Sequence, residues 1–123
     1  MMKDGMGINQ RDIVLIIYPY SDLSQKKKRP VFVLSNNNYN FHNEDIICCA
    51  ITSNQRNYAN SIEFSSVDLE SGGLPFESRI KSNKVFTLNQ NLIIKKLARL
   101  SIEKSKEVVE KLDIFIKIED DSN

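Results

Sequence analysis

Between residues 12 and 88 every apolar run has the length of a β-strand, and turn-forming residues close each one. One run, Ile13 to Ile17, lies in the β-branched stretch Asp12–Tyr18 and stops at Pro19. Pro30 opens Val31–Ser35, which Asn36-Asn37-Asn38 closes, and Asp45 introduces Ile46–Thr52. Residues 19–29 and 53–60 read as polar loops, the first of them basic. Ser61–Ser65 alternates apolar and polar side chains as a half-exposed strand does. Gly72-Gly73 marks a turn, and Ser78–Ser82 and Lys84–Leu88 follow as two further strands. Strands this short, with turn signals about every 8–12 residues, predict a compact antiparallel barrel or folded-over sheet.

The period changes at Ser101, a good N-cap residue. Apolar side chains then fall at Ile102, Val108, Val109, Leu112, Phe115 and Ile116, with Glu103, Lys104, Glu107, Glu110 and Lys111 between them. That is helical spacing, and it predicts an amphipathic helix packed on the barrel. The reading is therefore mainly β: one domain over residues 1–123, with residues 1–8 frayed and 118–123 an acidic tail. A chain of 123 residues can bury roughly two-thirds of the surface it exposes when unfolded, enough for a core of its own.

The composition, 41% hydrophobic and 27% charged with only 4 Gly and 3 Pro, excludes disordered and collagen-like classes. No apolar run is long enough for a membrane helix, and Met1-Met2-Lys3-Asp4-Gly5 lacks the apolar region of a signal peptide. A cytoplasmic protein without membrane contact is expected. The two cysteines, Cys48 and Cys49, are adjacent on a strand and so point to opposite faces, which suits two small core residues better than a disulfide. With His42 the single histidine and the acids scattered, the spacing of a zinc or metal-hydrolase site is missing, and no cofactor motif is present. Glu119-Asp120-Asp121 reads as a solubilising tail.

Net charge is only +1, but its distribution is uneven. Residues 76–99 carry six cations (Arg79, Lys81, Lys84, Lys95, Lys96, Arg99) against Glu77 alone, and residues 24–36 hold Lys26, Lys27, Lys28 and Arg29 with no acid. Two basic segments on a near-neutral chain suit an anionic ligand, or a solvated lysine-rich surface. Arg29-Pro30 stands where a long loop runs into a strand, and Thr52-Ser53 where a later strand leaves the sheet. In a small barrel two such ends can share one rim, where a guanidinium forks onto phosphate oxygens and a hydroxyl adds a donor.

The order of these signals carries more. Asp12-Ile-Val-Leu, a loop, Lys28-Arg29-Pro30-Val-Phe-Val-Leu-Ser35, Ala50-Ile-Thr52-Ser53, Gly73-Leu74, Ser78-x-Ile-Lys81, Phe86-Thr87-Leu88 and Leu100-Ser101 with its helix together resemble the MazF/PemK (Kid-like) toxin family. The resemblance runs from about residue 9 to 116. It implies a homodimer of SH3-like (MazF/PemK/CcdB-type) barrels with a C-terminal helix, the toxin half of a toxin–antitoxin pair. It further implies a metal-independent, sequence-specific endoribonuclease acting on single-stranded RNA, including mRNA, without a cofactor. In that family the Arg of Arg-Pro and the Thr of Thr-Ser form the catalytic pair, here Arg29 and Thr52, with Ser53 in the phosphate-contacting position. The implied step is attack by the RNA 2′-OH on the adjacent phosphorus, leaving a 2′,3′-cyclic phosphate and a 5′-OH. Arginine stays protonated at neutral pH, so Arg29 is expected to clamp developing charge and not to act as a base.

Two departures are visible. Where many relatives place a basic residue and then an aspartate proposed as the base, this chain has Lys81 and Asn83, and an amide cannot take that role. Glu77 and His42 are the remaining candidates. Arg11 stands where relatives usually have glycine. Lys26, Lys27, Lys28, Lys81 and Lys84 are expected to track the RNA backbone, and Tyr20, Tyr39 and Tyr58 to stack on bases. The expected antitoxin is a small protein whose acidic tail occupies the same basic groove. Two alternatives use the same fold: a CcdB-like toxin that traps DNA gyrase, and an SH3-like binding module without catalysis.

Overall fold

The structure is a computed structural model describing residues 7–19, 27–56 and 59–121. Seven strands, β1 (Asp12–Ile17), β2 (Lys28–Val33), β3 (Asp45–Thr52), β4 (Ser61–Phe64), β5 (Leu69–Gly72), β6 (Ser78–Asn89) and β7 (Ile93–Leu100), form one antiparallel sheet. Its order is β4-β6-β3-β2-β1-β7-β5. A short helix α1 (Asn37–His42) precedes β3, and α2 (Ile102–Ile116) follows β7.

The central strands are buried on both faces, which is why they read as near-continuous apolar runs. Val14 and Ile16 of β1, Val31 and Val33 of β2, and Ile46 and Cys48 of β3 join Leu88 and Ile93 in one core. Their alternating neighbours Ile13, Phe32, Cys49 and Ile51 join Ile80, Leu100 and Val108 in a second core on the opposite face. Cys48 and Cys49 thus belong to different cores and are both free thiols, as strand alternation requires.

Helix α2 begins where the sequence places it: the Ser101 hydroxyl accepts from the Lys104 N–H at 3.1 Å. Its packing is narrower than expected. Val108 and Ser105 are buried, and the Ser82 hydroxyl donates to the Val108 carbonyl at 3.2 Å. Ile102, Val109, Phe115 and Ile116 remain exposed, so only the centre of the apolar stripe meets the sheet.

Other expectations need correction. Residues 78–88 form one strand, β6, and not two; its register with β3 shifts between the Cys49–Val85 and Ile51–Ile80 pairs. Lys81-Ser82-Asn83-Lys84 therefore bulge opposite Ala50, and the break in alternation mimics a turn. Asn36-Asn37-Asn38 is no simple turn: Asn36 caps α1, its side chain accepting from the Tyr39 N–H, and His42 ends that helix. Residues before Gly73 already form β5 against β7, and β7 itself was masked by the polar break Lys95-Lys96 in its pattern. The acidic tail is exposed as far as Asp121.

Candidate active site at the β2–β3 rim

One face of four neighbouring strands runs out of the core and becomes polar at the same end of the sheet. On β2 the sequence Val33, Val31, Arg29 passes from wholly buried to exposed, and on β3 Ile46 and Cys48, both buried, lead to half-buried Ala50 and Thr52. On β6 Leu88 and Phe86 lead to Lys84, and on β1 Val14 and Ile16 lead to Tyr18 just past the strand. The β2–β3 register pairs Val31 with Ala50, Phe32 with Cys49 and Val33 with Cys48. Carried two residues further, it sets Arg29 opposite Thr52. The ladder stops short of that pair because Pro30 has no N–H to offer β3.

A cleft of about 280 Å³ opens there, lined by Arg29, Pro30, Val31, Ala50, Ile51 and Thr52, by Tyr18 and Phe86, and by Lys81 and Lys84. The β6 bulge delivers the last two. Three cations and the hydroxyl of Thr52 thus share a small cleft with an aromatic wall of Tyr18 and Phe86. The described lining contains no carboxylate and no imidazole. A cluster of cations at such a mouth favours an anionic group. The Thr52 hydroxyl also accepts from the Asn54 N–H at 3.2 Å, which fixes the chain where it leaves β3.

The other candidates are dispersed. Ser53 follows Thr52 and is exposed, outside the cleft lining. Lys28 is exposed, and alternation turns it to the face opposite Arg29. Asn83 is exposed on the bulge and does not line the cleft. Glu77 lines a different hollow with Leu74 and Phe76, and its carbonyl accepts from the Gln55 side chain at 2.6 Å. His42 and Tyr39 sit on α1 at the Asp45 end of β3, about 20 Å of strand away from Thr52. Tyr58, Tyr20 and Lys26 lie outside the described residues.

Two of the six cations counted in residues 76–99 serve the fold. Arg79 is buried, donating to the Ser61 hydroxyl at 2.7 Å, and Lys96 pairs with buried Asp12 at 3.1 Å. Tyr18 was missed among the site residues. The signal for it is parity: it shares the face of Val14 and Ile16 and is the first ring beyond them.

The fold has close counterparts. The MazE–MazF complex from Deinococcus radiodurans (Form-II) superposes with a TM-score of 0.74 at 20% identity, over 93% of this chain and 99% of that one. An endoribonuclease in complex with its cognate antitoxin from a Mycobacterial species gives 0.73 at 14% identity, over 91% and 97%. The Mycobacterium tuberculosis toxin MazF-mt6 gives 0.71 at 16%, over 89% and 99%. No curated protein matches the chain significantly in sequence. The family model described as "PemK-like, MazF-like toxin of type II toxin-antitoxin system" matches residues 9–116. With that match spanning nearly the whole chain, on a fold these toxins share, the protein belongs to the PemK-like, MazF-like toxin family of type II toxin–antitoxin systems.

Proposed function

We propose that this protein is the ribonuclease toxin of its pair, a metal-independent endoribonuclease that cuts single-stranded RNA, mRNA included, at specific sequences in the cytoplasm. The observation that carries the reading is the convergence of Arg29 and Thr52, distant in sequence, on one cleft with Lys81 and Lys84.

The chemistry these residues supply is electrostatic. When the ribose 2′-OH attacks its own 3′-phosphate, negative charge builds on the non-bridging oxygens and on the departing 5′ oxygen. Arg29 offers a planar fork of donors to those oxygens, and Thr52 supplies a hydroxyl. Removing one such donor typically slows a reaction by about 10²–10³-fold. Lys81 and Lys84 hold the neighbouring backbone phosphates, and Ser53 and Asn83, exposed outside the cleft lining, extend the contact along the strand. Neither Glu77 nor His42 lines the cleft that holds Arg29 and Thr52. Need for a 2′-OH makes the activity specific for RNA. A homodimer doubles the cleft, and an antitoxin with an acidic tail suits its charge.

The test is direct. Purified protein incubated in EDTA with a long single-stranded transcript is expected to leave 5′-hydroxyl ends at a recurring motif, and one 2′-deoxy substitution at the scissile nucleotide is expected to block the cut. Intact RNA under these conditions defeats the proposal.

A further inference from the structure

We infer that Tyr18 is a positioning residue for Arg29: its ring holds the guanidinium over the cleft while leaving its charge unneutralised. The inference rests on the ribonuclease reading above. The Arg29 guanidinium carbon lies 5.3 Å from the centre of the Tyr18 ring. The ring is held in turn by Phe86, edge to face at 6.2 Å and 87°. The register explains the meeting: Ile16 pairs with Arg29 and the Tyr18 N–H donates to the Lys27 carbonyl at 2.8 Å, so Tyr18 is the diagonal cross-strand neighbour of Arg29 on the same face.

What this arrangement does follows from what is not used. Two other arginines of the fold are tied by hydrogen bonds: Arg11 to Glu70 and the Leu100 carbonyl, both at 2.7 Å, and Arg79 to Ser61. Among the described residues no carboxylate lies within ion-pair distance of Arg29. A carboxylate would restrain the side chain but also occupy the fork and cancel its charge. A ring quadrupole attracts the cation and leaves the fork available to phosphate oxygens. Arg29 is exposed on a long, rotamer-rich stem, so a free guanidinium would pay its ordering entropy at each encounter with RNA; the ring pre-pays part of it. Phe86 keeps the ring from turning away.

The test uses the full chain and a single-stranded RNA oligonucleotide under single-turnover conditions. Tyr18→Leu keeps apolar bulk but removes the ring face; the expected result is a cleavage rate lower by about five- to thirtyfold, with the half-saturating RNA concentration changed less than about twofold. Tyr18→Phe, which keeps the face, is expected to restore the rate. Phenylalanines of rising ring fluorination at position 18 preserve shape while weakening the quadrupole, and each step is expected to slow cleavage further, which guards against a Leu variant that fails to fold. An unslowed Tyr18→Leu, a Tyr18→Phe as slow as the Leu variant, or a rate indifferent to fluorination overturns the inference while leaving the nuclease reading intact. A parent protein that cuts no RNA overturns that reading, and the role of Tyr18 with it.

Discussion

Arg11 shows what a single residue can conceal. It has a φ of 77°, the left-handed region in which an L side chain is disfavoured by about 1 kcal/mol. That is the backbone reason for the glycine its resemblance to relatives leads one to expect there. The arginine is held by its guanidinium, paired with Glu70 and donating to the Leu100 carbonyl, and its backbone N–H and carbonyl bond to Val33 and Leu100. The departure was visible in the sequence; its compensation is a contact 59 residues away and was not. Arg29 and Thr52 were legible for the opposite reason, since strand ends announce themselves through Pro30 and the polar run after Thr52. The two cysteines give a test at this scale. Burial pushes the Cys49 thiol up to about 12 from an ordinary value of 9.0, and Cys48 is raised as well, by burial first and by its neighbour Cys49 second. Above pH 9 the unfolded chain releases these protons and the folded chain keeps them, so the native state is the one that binds more. Stability contributed by the neutral buried thiols is therefore full below about pH 9 and lost as pH rises toward 12, by up to about 1.4 kcal/mol per pH unit for each thiol. Urea denaturation from pH 8 to 11 is expected to show a steeper alkaline loss in the parent than in a Cys48→Ala/Cys49→Ala variant; equal slopes contradict the assignment.

Among the elements, α2 is anchored at one point. Val108 is wholly buried in the second core and its carbonyl accepts from Ser82 on the β6 bulge, whereas Val109 is about half exposed. Val108→Ala is expected to destabilise the fold by about 2 kcal/mol, with Val109→Ala within about 0.5 kcal/mol, as read by thermal or urea unfolding. Comparable losses at the two positions would mean that the helix packs on a broader face. The helix itself was legible because its cap, length and period are local. How much of its stripe the sheet covers depends on the curvature of β4 and β6, which no local pattern carries. The same distinction separates β1 and β3, read to within a residue from their runs, and β2, which begins at Lys28 inside the expected 19–29 loop and ends at Val33 instead of Ser35, from β5, β6 and β7. Bulges shift the register of β6 on β3 and of β1 on β7. Each shift breaks the alternation that a strand reading relies on. The β6 bulge that hid the strand is also what brings Lys81 and Lys84 to the cleft.

The whole molecule places a wet, cationic mouth where one of its two cores meets solvent. Four strands contribute to it, so the site exists only when the sheet is assembled. That is why the sequence could suggest Arg29 and Thr52 as a candidate pair, with Lys81 and Lys84 beside them, but not the whole of their surroundings: Tyr18 and Phe86 join through register, while Glu77 lines a different hollow and His42 sits on α1. If Arg29 and Thr52 serve one phosphate, they act as a unit, and units lose their effect together. The deciding measurement is a double-mutant cycle on RNA cleavage with Arg29→Ala, Thr52→Ala and the pair, each checked for an unchanged melting temperature. Each single change is expected to slow cleavage at least about 10²-fold, and the double change to add little to the worse of the two. Losses that multiply in full, or a single variant that cuts as fast as the parent, would show that the guanidinium and the hydroxyl do not grip the same phosphate.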